Sequence, residues 1–246
     1  RAAWYKAMAK RAHKYADAVV VPTHAVAAQL GEIHDFGDRI RVIGGAVSSK
    51  LTVPVDPDVR ARRLELPERY ILSVGTLEPR KGLDALIRAM ADPALAGLPL
   101  LIAGPAGSGE LDVHAVAAEA GLDEARVRSL GYLADADLAV ALDRASVFVF
   151  PSLAEGFGLP VIEAFHFGTP VVHSDDPAVV EVAAGAGVTV KREDAEGYPK
   201  RLAEGIRSVL DDPALAERLR FSGLDRSRNF SWRDSAEKVW QLHADL

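Results

Sequence analysis

The chain has 246 residues, 49% of them hydrophobic, no cysteine and a formal net charge of −6. That apolar content supports one large core or two modest ones. The charge argues against nucleic acid as a partner, and the lack of thiols excludes disulfide scaffolds, thiolate metal sites and cysteine nucleophiles and fits a cytoplasmic protein.

In chain order, RAAWYKAMAKRAHKYADA carries Trp4, Met8, Arg11 and Tyr15 at helical spacing, with Arg1, Lys6, Lys10, Arg11 and Lys14 all preceding the first acid, Asp17. An ordinary surface helix is the favoured reading. The alternative is a basic amphipathic helix resting on a membrane surface, which would make the protein peripheral at the inner face of the membrane and place it beside any lipid-linked partner. No apolar run reaches the roughly 20 residues that a bilayer span needs. AVVVP (18–22) reads as a buried strand, Thr23 as the cap of a helix running to Leu30, and Gly31 as its stop. RIRVIGGAV (39–47) is a strand ending in paired glycines. The segment after it, SSKLTVPVDPDVRARRLELPE, has three prolines and no clear period, which marks a domain boundary.

From Tyr70 the pattern is regular. YILSVG, LPLLIAG, RVRSLGY, SVFVFP, PVVHS and GVTVK are short apolar runs alternating with helical stretches. Continuously apolar strands separated by helices predict an α/β fold with a doubly wound, Rossmann-like parallel sheet covered on both faces. Helices follow over 196–210, 212–224 and 231–246, the last capped by Ser231.

Open parallel sheets bind ligands beyond the carboxyl ends of their strands, so the loops there are the places to search. After the first strand of this region, GTLEPRKGLDAL sets Arg80 and Lys81 at a helix entry, a cationic clamp suited to a diphosphate. GPAGSGE (104–110) matches neither a dinucleotide fingerprint nor a P-loop and reads as a turn. Asp135-Ala136-Asp137 reads as a capping aspartate before a helix, so no metal is assigned.

The fourth loop, PSLAEGFGLPVIE, is the most informative. Gly156 and Gly158 let the backbone wrap closely around a ligand, and Pro160 can begin a helix without needing its N–H. Glu163 in the first turns can accept from vicinal hydroxyls such as those of a ribose. Glu155, before the glycines, can accept from a second sugar beyond the phosphates. Two carboxylates flanking an anion clamp describe a nucleotide sugar. Paired carboxylates could also serve glycoside hydrolysis, but that leaves Arg80 and Lys81 at the same strand ends without a role. A nicotinamide-dependent oxidoreductase fails for want of G-x-G-x-x-G where VGTLEPRKG stands. His24 and His166 lie beside apolar segments and read as structural.

EGFGLPVIEAFHFGTPVV together with VGTLEPRKGLDALIRA resembles the retaining GT-B glycosyltransferases of glycosyltransferase family 4, from about residue 17 onward. The resemblance implies that Arg80 and Lys81 hold the donor diphosphate, Glu163 the ribose and Glu155 the transferred hexose, such as mannose or glucose. Gly75 and Thr76 would border the phosphates, and the backbone of Gly156, Phe157, Gly158 and Leu159 would line sugar and phosphate. Tyr132 and Leu133 would meet the base. Thr76 stands where many family members carry arginine. The donor would be a UDP- or GDP-sugar, with no cofactor and no metal, in a glycan-building reaction that retains anomeric configuration.

By the same resemblance the chain is the C-terminal half of a GT-B fold. Residues 1–45 would be the end of an N-terminal acceptor domain and its linker, 46–230 the nucleotide-sugar-binding domain, and 231–246 a helix crossing back to the acceptor domain. The missing half would leave the fragment able to bind a nucleotide diphosphate but poor at turnover, with Trp232, Val239 and Trp240 short of their neighbours. The rival readings are a GT-B sugar-nucleotide epimerase and a non-catalytic nucleotide-sugar-binding module.

Overall fold

The computed structural model describes residues 2–107 and 111–246, so Arg1 and the end of the glycine-rich segment 104–110 lie outside the described residues. The chain opens with α1 (Ala2–Tyr15), β1 (Val19–Val21), α2 (His24–Ile33), β2 (Ile40–Val42) and α3 (Pro57–Arg63). There follow β3 (Ile71–Val74), α4 (Leu83–Ala89), β4 (Leu100–Ala103), α5 (Val113–Glu119), β5 (Val127–Gly131) and α6 (Asp135–Arg144). β6 (Val147–Phe150), α7 (Leu159–His166), β7 (Val171–Ser174), α8 (Pro177–Ala183) and β8 (Val188–Val190) complete the alternation, and α9 (Tyr198–Leu210), α10 (Pro213–Ser227) and α11 (Trp232–Asp245) close the chain.

Among the described residues, six strands form one parallel sheet in the order β5-β4-β3-β6-β7-β8. All six coincide with the apolar runs read from the sequence. Neighbouring residues of one strand serve opposite faces: Ile71, Leu100, Val147 and Val149 pack with Leu86 of α4 and Leu202 and Ile206 of α9, whereas Leu72, Leu101, Phe148 and Phe150 pack with Leu142 of α6, Phe165 of α7 and Val179 of α8. Each such side chain, withdrawn from water, contributes roughly 1.5–3 kcal/mol. Burial on both faces is why the inner strands β4, β3, β6 and β7 read as near-continuous apolar runs, whereas the edge strands β5 and β8 keep polar residues such as Arg128, Ser129 and Thr189.

β1 and β2 form a separate parallel pair. Here the expectation of a buried strand is corrected: Val21 is buried but Val20 is 47% exposed, β1 belonging to a sheet of only two strands. Thr23 caps α2 by accepting from Val26 N at 3.2 Å, yet the helix passes Gly31 and ends with His34 N donating to Leu30 O. Gly31 lacks the positive φ of a stop residue and is tolerated as a helix-interior glycine at a cost near 1 kcal/mol.

The boundary segment contains α3, which its polar sequence did not reveal. Arg60 and Arg63 pair with Asp137 Oδ1 at 2.9 and 2.5 Å, and Arg144 pairs with Asp58, fixing α3 to α6. Asp135 is not a cap, as the sequence suggested; Ala134 holds that position and Asp135 opens the helix without a side-chain capping bond. At the other end Ser231 caps α11, and Ser235 Oγ donates to Gly44 O at 2.7 Å. α11 thus returns to the chain segment after β2, with Trp240 on its open side 80% exposed. Among the described residues no helix is long and apolar enough to cross a membrane.

Candidate functional site

The strand order reverses between β3 and β6, and the space beyond the carboxyl ends of such a pair is where open parallel sheets take ligands. Two loops border it, from Gly75 to Gly82 and from Pro151 to Gly158. The two are locked together. Leu153 N donates to Arg80 O at 2.8 Å. Gly82, at φ +62°, leads into α4, and a Cβ there would lie 2.2 Å from Pro151 O. Glycine is required by the contact as well as by the backbone angle.

This junction brings Arg80, Lys81 and Glu155 into one cluster. Lys81 Nζ forms an ion pair with Glu155 Oε1, and Arg80 Nη1 lies 3.7 Å from the same oxygen. Arg80 Nε also meets Glu78 Oε2 at 3.0 Å. The Lys81 and Glu155 side chains are only 12% and 10% exposed, whereas Arg80 is half exposed. Lys81 lays its methylenes along Gly75, which has no side chain to obstruct them, and its ammonium stands 5.4 Å from the Phe150 ring centroid. Two cations therefore serve one buried carboxylate, with the half-exposed arginine toward solvent. Their pairing was not foreseen from the sequence, where the partners are 74 positions apart.

Glu163 lies on α7, which starts from Gly158 at φ +92° with Pro160 in its first turn. Burial pushes its pKa up to about 7, and the negative charge of Asp135 at the start of α6 adds to the effect. No hydrogen bond satisfies its carboxyl group among the described residues. The residue remains partly open to solvent, so the half-buried carboxyl is able to accept from the hydroxyls of a ligand.

The other residues singled out from sequence divide. Tyr132, after Gly131 at φ +65°, is 75% exposed beyond β5. Leu133 turns its side chain into the apolar layer with Leu72, Ala139 and Phe150, which leaves its backbone as the part that faces the loop. Gly75 N donates to Ala103 O, and Thr76 O accepts from Glu78 N at 2.7 Å, closing the β3 loop. Gly156 O accepts from Thr23 Oγ1 at 3.0 Å. The Phe157 ring packs on Gly44 and Gly45 and stands edge-on to Phe230 at 5.8 Å. Leu159 opens α7. His24 is held by Glu181, its Nδ1 2.9 Å from Oε1. Asp176, Arg192, Ser174 and Tyr198, which the sequence reading passed over, all bind the backbone of the β6 loop.

Comparison with known proteins places this geometry in a family. O-antigen chain mannosyltransferase B of Escherichia coli is 35% identical over 168 residues, covering 67% of this chain and 43% of that protein. D-inositol 3-phosphate glycosyltransferase of Nocardioides sp. (strain ATCC BAA-499 / JS614) is 31% identical over 253 residues, 93% of this chain and 53% of that one. The chain thus spans about half the length or less of these relatives. Sucrose-phosphate synthase (tll1590) from Thermosynechococcus elongatus superimposes with a TM-score of 0.83 at 30% identity over 98% of this chain and 61% of that one. Anabaena Alr3699/HepE, solved in complex with UDP and glucose, shares the fold at a TM-score of 0.85 and 21% identity, over 98% of this chain and 66% of that one. The architecture is that of a GT-B Rossmann-like domain. Residues 56–224 match the family model described as Glycosyl transferases group 1, and the chain belongs to that family.

Proposed function

We propose that this chain is the donor-binding part of a glycosyltransferase that moves a hexosyl group, such as mannose or glucose, from a UDP- or GDP-sugar to an acceptor hydroxyl with retention at the anomeric carbon. The observation that carries the reading is the convergence, above the switch point of the sheet, of Arg80, Lys81 and Glu155, with the half-buried Glu163 carboxyl on α7. Glycosyl transfer breaks the bond from the anomeric carbon to the diphosphate and forms one to the acceptor oxygen, whose proton leaves with the diphosphate. Negative charge grows on the leaving group, where two cations stabilise it.

The ion pair adds a step. A diphosphate that takes Lys81 as a partner releases Glu155 from it, and the freed carboxylate accepts from hydroxyls of the sugar. Glu163 accepts from the ribose diol. Glu155 in this scheme orients the sugar rather than attacking it. The acceptor is recognised by an N-terminal domain outside these residues, and that domain is the partner the proposal requires.

Thermal denaturation with a panel of nucleoside diphosphates and their sugars tests the reading, because a ligand of the native state raises the Tm. A UDP- or GDP-sugar is expected to raise it. No shift with any member of the panel at millimolar concentration contradicts the proposal. Release of free nucleotide with an acceptor present separates transfer from epimerisation and from binding without catalysis.

A further inference from the structure

The loop that carries Glu155 is irregular from Pro151 to Gly156, so neither helix nor sheet satisfies its backbone. Side chains do so instead, almost residue by residue. Tyr198 Oη donates to Pro151 O at 2.9 Å, Ser174 Oγ to Ser152 O at 2.6 Å, and Arg192 Nη1 to Leu153 O. Arg80 Nη1 reaches Ala154 O at 3.5 Å, Glu155 N donates to Asp176 Oδ2 at 3.3 Å, and Thr23 Oγ1 donates to Gly156 O. A loop fixed in this way holds its side chains within the narrow range that orientation effects demand.

Two of these groups form the centre of the rack. Asp176 is buried and divides its oxygens: Oδ1 accepts from Ala178 N and Val179 N to cap α8, while Oδ2 accepts from Glu155 N. Arg192, just beyond β8, holds Asp175 Oδ1 through Nε at 2.6 Å, reaches Leu153 O, and brings Nη1 to 3.8 Å from Asp176 Oδ2. The loops after β6, β7 and β8 are joined through this one guanidinium. We propose that Asp176 and Arg192 are positioning residues that set the backbone from Leu153 to Glu155 and thereby aim the Glu155 carboxylate at the donor sugar. The inference rests on the proposed function for the identity of the ligand, whereas the rack itself stands on the geometry of the free protein.

Asp176→Asn separates positioning from mere stability. The amide oxygen keeps the α8 cap, and the amide nitrogen replaces Oδ2, so a donor faces both the Glu155 N–H and the Arg192 guanidinium. Arg192→Met removes the second arm, and Arg192→Lys restores its charge without the fork. Calorimetry on the full chain would compare UDP and GDP with their hexose derivatives. Free nucleoside diphosphate affinity is expected to stay within about twofold in the variants, while the extra affinity that the sugar confers falls about tenfold, the scale of one lost bond to a charged group. Arg192→Lys is expected to recover part of it.

Amide hydrogen exchange in the absence of ligand supplies the second measurement. The amides at Leu153 and Glu155 are expected to exchange at least about tenfold faster in Asp176→Asn and Arg192→Met, with Ala178 and Val179 unchanged in Asp176→Asn. Parallel losses for nucleotide and sugar nucleotide, a wild type whose sugar adds no affinity, or unchanged exchange in the loop would overturn the inference. A wild type that binds none of these ligands while the exchange result holds would overturn the proposed function, and with it the sugar as the target of the rack.

Discussion

The elevated pKa of Glu163 makes the stability of the protein depend on pH in a definite direction. Its carboxyl moves from the ordinary 4.5 to about 7, mainly through burial. The native state therefore holds this proton over a range where the unfolded chain has lost it. Stability from this source is fully present below pH 4.5, is lost as pH rises, and is gone above pH 7. At 1.36 kcal/mol for each pH unit, the loss comes to roughly 3 kcal/mol. Glu163→Gln carries no proton to lose. Urea unfolding of both proteins at pH 5, 6, 7 and 8 is expected to give a variant near wild type at pH 5 and more stable by roughly 3 kcal/mol at pH 8. Taking the difference cancels the buried His173, whose lowered pKa makes stability rise with pH instead. A difference that stays flat from pH 5 to 8, or that favours the wild type at high pH, refutes the reasoning. On the proposed function, in which a ribose diol donates to the ionised carboxylate, nucleotide binding by the wild type should release a proton below pH 7 and strengthen with rising pH by more than binding to the variant, where only the terminal phosphate of the ligand titrates in this range.

Lys81→Met leaves the Glu155 carboxylate only the more distant Arg80 and is expected to cost about 3 kcal/mol in urea unfolding; adding Glu155→Gln should recover more than half, and strictly additive effects would show that the pair does not interact. Gly82→Ala forces a Cβ against Pro151 O and is expected to lower stability by about 3 kcal/mol or more, while Gly121→Ala, at φ +72° with nothing within 4 Å, should cost only about 1 to 2 kcal/mol. Equal losses at the two glycines in thermal unfolding would remove the contact with Pro151 from the account.

The inner strands of the main sheet were legible because burial on both faces leaves runs such as VFVF at 147–150 with no polar residue to obscure them, and the edge strands β5 and β8 were legible as short runs bounded by glycine. The EGFGLPVIE stretch was legible for a different reason: Gly158 and Pro160 are needed by the backbone where the helix begins. What stayed hidden depends on tertiary partners. α3 buries only Ala61 and shows no apolar period, and it is joined by ion pairs to Asp137 and Arg144, which lie far away in sequence. Gly31 carries the same residue type as a helix stop, and only its backbone angle shows that it is not one. Leu133 follows the exposed Tyr132 in the loop after β5 yet turns its side chain into the core, a choice that one sheet face makes and the sequence does not mark. The Lys81–Glu155 pair and the side chains holding residues 151–156 follow from topology alone, since they arrive from separate strand ends.

The central claim is that the crevice between the β3 and β6 loops grips a nucleoside diphosphate, with Glu163 on its ribose. Isothermal titration of UDP and GDP into the wild type and Glu163→Ala at pH 8, where the carboxyl is ionised, tests it most directly. The account predicts that one of the two nucleotides binds the wild type and that the variant loses roughly 1.5 to 3 kcal/mol of that affinity. Equal affinity in the two proteins, or no binding by the wild type at millimolar nucleotide, would contradict it.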